Sequence, residues 1–504
     1  MLISNYYRVP VILVLFFLPF INYAQKAKRI RLIQANEIRY DKHFNKDIQM
    51  LIGDVILEHD SIYLYCDSAY LNDKENNVEA FGHVHINTGD SLDLFGDYLF
   101  YNGITKLAEI QDNVRLIDNT TTVNTEHLFY DRLTKISYYL YGGKIYSKDN
   151  QLYSDKGYYY TSKKEFFFKK NVVLINPEYT MKSDTLLYNT ETEIAYFYGP
   201  TTIHSEDNYI YCENGWYNTR LDVSRYSKNT FFNAGDQNLS CDSLFYDQHN
   251  GFGIAYSNIT LTDTIKNIIV KGNYSEYHKE RGYSMVTDSA LAILVDNKDS
   301  LFLHADTIQA TFDSAQSLKS LYAYYHTKFF RNDIQGMCDS LFYHFTDSIL
   351  TMYNEPVLWT EENQLTADTI KIYFENQQVV QMTMHNSSFI ISKDDSVNFN
   401  QIKGVNMIAY FAKNQLYKIM VDANSETIYV VREDDGSMIG INKAVSGHMW
   451  VMLADSKVKK IIYIDHPTAT LFPEKDITKD DRRLKGFYWH EGKRPINKID
   501  IFRW

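Results

Sequence analysis

The chain of 504 residues has little proline, 8 residues, against 42 tyrosines and 29 phenylalanines. That balance leans towards β-structure, because aromatic side chains suit pleated strands and proline does not. Net positive charge is also missing. The formal net charge of −12 gives no electrostatic reason to expect nucleic-acid binding, which needs clustered Lys/Arg, and it argues against capture of anionic head groups by long-range attraction. The common catalytic signatures HExxH, CxxC, GxSxG and GxxxxGK[ST] are absent, and the pair Gly251 and Gly253 is followed by Tyr256 where a dinucleotide loop needs its third glycine. No catalytic residue, cofactor or metal is expected. Only 4 cysteines occur.

A long apolar run is also lacking, apart from one near the start. Arg8 precedes the apolar stretch VILVLFFLPFI at 11–21, and Asn22-Tyr23-Ala24 precedes Gln25. This pattern predicts a secretory signal over residues 1–24, cut after Ala24; the run is shorter than the roughly 20 residues of a spanning helix. No cysteine follows the cut, which argues against a lipoprotein. The mature chain is expected to be exported.

What the chain does have is repetition. LYCDSAY (64–70), YCENGWY (211–217), SCDSLFY (240–246) and MCDSLFY (337–343) place an acid after each cysteine. Taking that acid as a marker, equivalent positions are Asn36, Asp67, Asp97, Glu126, Asp155, Asp184, Glu213, Asp242, Asn273, Asp306, Asp339 and Asp368, spaced by 29–33 residues, with weaker copies at Gly404 and Gly447. A period this regular implies about 14 stacked units rather than independent domains. The residue before the marker is small, whether Ala35, Cys66, Gly96, Thr125, Ser154, Ser183, Cys212, Cys241, Gly272, Ala305, Cys338 or Ala367. Cysteine is therefore one member of a small-residue column, and free thiols are expected.

Three residues before the marker the side chain is apolar in most copies, among them Leu64, Leu94, Val123, Leu152, Met181, Ile210, Leu239, Val270 and Leu303. Four after it stands a tyrosine, as at Tyr101, Tyr277 and Tyr343. The first set shares one strand parity and the residues after the marker share the other. The phase therefore slips at the marker, through a bulge or sharp bend that returns both sets to one inner surface. The acids Asp67, Asp97, Glu126, Asp155, Asp184, Glu213, Asp242, Asp306, Asp339 and Asp368 are read as capping backbone groups at that bend. A calcium column is disfavoured, since each repeat offers one acid with hydrophobic neighbours and calcium wants six to eight oxygens. The tyrosine column is read as a cross-strand ladder, with carbohydrate stacking as the alternative. His83 and His85 share a strand face without a third metal ligand nearby in sequence.

A second strand in each repeat starts from a turn residue, as in GHVHI (82–86), DNVRLI (112–117), GGKIY (142–146) and KNVVLI (170–175). Two strands per repeat make about 28 strands and, at roughly 4.8 Å each, a stack of about 130 Å. The final stretch, 471–504, differs in kind, with Arg482, Arg483, Arg494, Phe487, Trp489 and Trp504. It reads as a cap or docking tail.

The two half-motifs together, clearest in LYCDSAYLNDKENNVEAFGHVHI (64–86) and LDLFGDYLFYNGITKLAEIQDNVRLI (92–117), resemble the OstA/LptA family, over roughly residues 30–430. The resemblance implies an all-β fold, an elongated stack of bent antiparallel strands forming an open V-shaped jelly roll. Regular repeats are expected over 25–270 and less regular ones over 271–470. It further implies an apolar groove for lipid acyl chains, whose lining here would be Leu64, Cys66, Leu94, Val123, Leu152, Met181, Ile210, Leu239, Val270 and Leu303, with the small column leaving the groove open. Lipopolysaccharide or lipid A would be the cargo. Other Lpt-type transport components at the inner and outer membranes would bind the terminal strands, the N-terminal one being near residues 30–40, and end-to-end self-association is a further expectation. The expected location is the periplasm, with outer-membrane association left open. The competing readings are a structural or adhesive β-stack with a filled core and a carbohydrate-binding β-solenoid.

Overall fold

The computed structural model describes residues 28–40, 47–88, 92–296, 299–315, 317–376, 378–413, 415–454 and 457–504. The expected signal segment lies outside them. The described chain is built of strands, with four short 3-10 turns after residue 473 and no α-helix. No helix among the described residues is long and apolar enough to cross a membrane. Two compact units form, Met1–Lys148 and Asp149–Trp504.

In the first unit Ile48–His59, Ile62–Asn72, Asn77–Asn87, Leu92–Asn102, Leu107–Asp118 and Thr121–Asp131 each pair antiparallel with the next. In the second, Glu165–Ile175, Tyr179–Asn189, Ile194–Ser205, Asn208–Asn218, Val223–Ala234, Gln237–Asp247, Phe252–Asp263 and Ile268–His278 do the same. Further along, the strands are interrupted at the bend, as in Asn406–Ala412 after Phe399–Gly404. Twelve strands are broken in this way, so the forty described segments make up twenty-eight bent strands, two per repeat.

The bend has one construction throughout. Strand Leu107–Asp118 passes through Asp112 (φ 62°) and Asn113 (φ 53°). Its pairing with Thr121–Asp131 jumps from Gln111↔His127 to Val114↔Thr125. Two left-handed residues thus oppose the single marker Glu126, which is a bulge. The same left-handed pair recurs as Lys170-Asn171, Lys228-Asn229 and Ser257-Asn258. Here the sequence reading needs correcting. The residues DN and KN do not open a new strand after a turn; they sit in the middle of one strand and bend it. Asparagine tolerates the left-handed region better than most side chains, which makes the position cheap to form.

The true turns lie at the strand ends. Asn72, Asn102, Asp131, Asn189 and Asn218 stand five residues after their markers. Each accepts from the backbone N–H groups two and three residues on, at 2.9–3.2 Å. These are Asx turns, and they close on a left-handed residue such as Asn76, Lys106, Lys135, Glu193 or Asp222.

Because of the bulge, burial changes phase at the marker. In Ile62–Asn72 the buried positions Leu64 and Cys66 are followed by Ala69 and Leu71, across exposed Asp67. Both halves of each bent strand therefore turn an apolar row towards the same interior.

Candidate functional site

The interior is the feature shared by every repeat, and its lining follows from register. In the first unit the position three before the marker forms a cross-strand ladder Leu57, Leu64, Ile86, Leu94, Leu116, Val123, Ile145. All seven are buried, between 0% and 7% exposed. In the second unit Leu152 (8%) and Met181 (2%) are buried as well. The ladder then continues as Met181, Ile203, Ile210, Phe232, Leu239, Leu261, Val270, Ala292, Leu303 and Phe329. Here Ile203, Ile210, Phe232, Leu239, Val270 and Leu303 are half-buried, and Leu261 reaches 36% exposure. An apolar row is therefore partly open to water from Ile203 to Val270, covered at Ala292 (8%), and buried again at Phe329 (5%).

The small-residue column does not leave room. A Cβ at Gly96 would lie 2.4 Å from Ile110 Cγ2, and one at Gly272 would lie 2.4 Å from Val286 Cγ2. The space above these two glycines is filled by a branched side chain on a neighbouring strand, so there the column accepts that side chain. Cys66, Cys212, Cys241 and Cys338 are buried, unpaired members of the column. Burial pushes each thiol up to about 12. Cys212 and Cys241 are separated by the whole strand Val223–Ala234, as two strands per repeat require.

The marker acids meet side chains at the bend more than backbone. Asp97 accepts from Asn113 Nδ2 at 2.6 Å, Asp155 from Asn171 at 2.9 Å, Glu213 from Asn229 at 2.8 Å and Asp242 from Asn258 at 2.9 Å. Asp67 pairs with His83 Nδ1 at 2.8 Å and Asp306 with His326 Nδ1 at 2.9 Å. Asp339 takes Asn354 Nδ2 at 3.5 Å. Glu126, whose repeat offers Gly142 instead, accepts the backbone N–H of Asn113 at 3.5 Å. Asp184 faces Gly199 and accepts from its neighbour Thr185, and the Asp368 N–H donates to the His385 and Asn386 carbonyls. In most repeats the column thus ties a strand to the bulge of the next. Donating to Asp67 raises the pKa of His83, while His85 bonds Asp93 at 2.8 Å and stacks on Phe95 at 4.4 Å. The two imidazoles are committed to separate carboxylates.

A polar cluster closes the first unit at the strand tips, and the sequence reading did not anticipate it. Asp60 lies in the tip between Ile48–His59 and Ile62–Asn72. Lys106 Nζ reaches it at 2.7 Å, Arg132 Nη1 at 3.2 Å and Lys28 Nζ at 3.4 Å, from other tips and from the N-terminal segment. Lys106, the nearest cation, leads in holding the Asp60 carboxyl down at about 2. His59 is buried, which lowers its pKa, and it bonds Tyr101 Oη at 2.7 Å and the Lys28 carbonyl at 2.9 Å. Beneath the cluster lies an apolar cavity of about 30 Å³, lined by Ile30, Leu57, Leu64, Leu99, Ala108 and Tyr130 among others. Tyr101, a member of the tyrosine column, borders this cavity, and Tyr130 and Tyr159 of the same column are buried at 7% and 5%.

In the second unit the tail docks on its own sheet. Phe389 and Ile391 point to the face opposite Ile390. With Phe399, Ile428 and Ile441 they enclose Leu484, with Phe487 and Trp489 packed alongside. Two fully buried amides read the tail backbone. Gln364 donates to the Tyr488 carbonyl at 2.8 Å and accepts from the His490 N–H at 2.7 Å. Gln401 does the same with the Arg482 carbonyl and the Leu484 N–H, both at 2.8 Å. Gln335 takes Arg494 Nε at 2.8 Å. A glutamine four residues before the bend is the signal that could have located this dock.

Residues 27–184 match the OstA-like protein family. No curated protein matches the chain. Among solved structures the chain is similar to LptH, the LptA homologous periplasmic component of the lipopolysaccharide transport device from Pseudomonas aeruginosa. The identity is 12% over 23% of this chain and 83% of that one, with a TM-score of 0.21.

Proposed function

We propose, with the OstA-like character of residues 27–184 as premise, that this protein is a periplasmic lipid-binding bridge or chaperone. It would shield lipopolysaccharide acyl chains during their transport to the outer membrane. The observation that carries this reading is the partly exposed apolar ladder from Ile203 to Val270, with Leu261 at 36% exposure. Water-exposed aliphatic rows of this continuity are rare on a protein that has no partner for them. An acyl chain laid along the row would gain about 0.8 kcal/mol per buried methylene. The attraction is non-directional, so neighbouring repeats offer near-equal sites and a chain could slide between them.

The test is photo-crosslinking in cells. Crosslinkers at Ile210, Leu239 and Val270 should capture lipid, whereas Lys182 and Lys271, exposed on the other face of their strands, should not. Adducts at the lysine positions alone would sink the reading. Docking to transport components at either membrane would use the terminal strands. Deleting Arg31–Gln34 should then remove one set of partners from a pull-down and leave the other.

A second reading, a purely structural β-stack, is favoured by the filled interior of the first unit, where the ladder is buried and Gly96 has no spare room. It predicts no lipid adduct at any inner position.

A further inference from the structure

The mouth of the first unit is occupied by two of the chain's own groups. One is apolar: Ile30 is 5% exposed and reaches into the cavity from the N-terminal segment. The other is anionic: the Asp60 carboxylate is shared by Lys106, Arg132 and Lys28. The side chains of Asp60, Lys106 and Arg132 are 16%, 29% and 17% exposed, so these charges are largely withdrawn from water. Glu58, the adjacent acid, pairs with Arg31 instead. Three cations therefore share one carboxylate, in a chain whose net charge is −12. Local excess positive charge above an apolar cavity is the arrangement an acidic amphiphile would complement.

The segment holding Ile30 is tied by a few identifiable bonds. Its N–H donates to Asn76 Oδ1 at 2.8 Å, Asn76 Nδ2 and His59 Nε2 bond the Lys28 carbonyl, and Arg31–Gln34 pairs with Ile48–His59 through an irregular register. The cavity of about 30 Å³ is water-sized; an apolar site of about 150 Å³ is needed to hold even benzene. Any hydrocarbon chain must therefore displace Ile30, and with it the segment.

We propose that this mouth is a binding site for an anionic amphiphile, its hydrocarbon chain replacing Ile30 between the walls and its acidic head group replacing Asp60 on Lys106 and Arg132. Arg132 suits the role because a guanidinium offers a phosphate or carboxylate two parallel N–H donors. The inference rests on the reading of the interior as lipid-binding. It adds a head-group site and a displaceable strap that mimics the ligand.

The full-length mature chain, titrated calorimetrically with decyl phosphate below its micelle concentration, should bind at least ten-fold tighter than with decanol or inorganic phosphate. Arg132→Gln should reduce decyl phosphate to the level of decanol, and Asp60→Asn should tighten it several-fold by removing the internal competitor. Hydrogen exchange on the unmutated protein supplies a readout independent of variant folding: decyl phosphate should accelerate exchange at the Ile30 amide. Equal binding of decyl phosphate and decanol, or an Ile30 amide that is unchanged or slowed, overturns the inference while leaving the lipid-binding interior intact. Binding of inorganic phosphate alone, as tight as decyl phosphate, reduces the site to an anion site and overturns it too. If neither amphiphile binds and the crosslinks at Ile210, Leu239 and Val270 are also empty, both readings fall.

Discussion

Asn113 and Asp97, sixteen residues apart on neighbouring strands, are joined through Nδ2 and Oδ2 at 2.6 Å. Asn113 is at once the second left-handed residue of its own bulge (φ 53°) and the donor to the marker of the strand before. One side chain therefore sets the bend and ties it to its neighbour, and Asn171, Asn229 and Asn258 repeat the arrangement.

Replacing Asn171 should separate these two contributions. Asn171→Gly keeps the left-handed backbone and loses the hydrogen bond, whereas Asn171→Ala loses both. The exposed bond is worth about 0.5–1.5 kcal/mol and the left-handed penalty for alanine adds roughly 1 kcal/mol. Urea denaturation should rank wild type above Asn171→Gly above Asn171→Ala; equal stability of the two variants would refute the backbone half.

Gly96→Val should cost about 1–3 kcal/mol by overpacking, because a Cβ there meets Ile110 Cγ2 at 2.4 Å. Ile110→Ala should offset part of that cost, giving a non-additive double-mutant cycle. Additive losses would mean that the two side chains do not compete for the same space.

The four thiols should be silent towards a disulfide-exchange reagent at pH 8 in the folded protein, and all four should react after denaturation. Their folded pKa of about 12 lies above the ordinary value of 9.0. Below pH 9 folded and unfolded thiols are both protonated and contribute nothing to the pH dependence. From pH 9 towards 12 the unfolded thiols ionise first, so stability falls as pH rises. Serine at Cys212 and Cys241 should flatten that alkaline limb.

Acid should act on the other side through Asp60, whose folded pKa of about 2 lies below its ordinary 3.8. The stabilisation is present in full above pH 4 and is lost as pH falls from 4 to 2, where the folded carboxylate takes up its proton. Melting curves over that range should fall less steeply for Asp60→Asn than for the wild type.

In the tail, the His490 and Leu484 amides are bonded by the buried side chains of Gln364 and Gln401. Both amides should be among the slow-exchanging ones in residues 474–504. Gln401→Leu removes one clamp and leaves the Leu484 N–H unpaired in an apolar setting, at a cost of about 1–3 kcal/mol. Faster exchange should then appear at Leu484 while His490 changes little.

The repeat, the two strands it contains and the phase slip at the marker were all legible in the sequence, because each is a property of one strand read along its length. Leu64, Cys66, Ala69 and Leu71 already show the slip by their spacing. What lay hidden depends on neighbours. The side chain that fills the space over Gly96 comes from Ile110 on the next strand, so a glycine that reads as open space along its own strand is a seat for that side chain. Asp60 gave no local sign of its role, since Lys106 and Arg132 approach it from tips far along the chain. The asparagine of the bulge was visible in DN, KN and SN, but a turn residue before a β-branched run looks the same whether the chain reverses there or only bends.

The outermost strands carry unlike chemistry. Arg31–Gln34 and Glu37–Arg39, whose described partner is Ile48–His59, leave Ile33, Ile38 and Tyr40 at 48%, 47% and 65% exposure. Lys457–Ile464, at the far edge of the other unit, presents Lys459 and Lys460 to solvent. Lysines repel an arriving β-edge, and bare aliphatic and aromatic groups welcome one. The margin at 31–39 thus offers an incoming strand more bare apolar surface than Lys457–Ile464, where exposed Val458 (37%) stands beside the lysines.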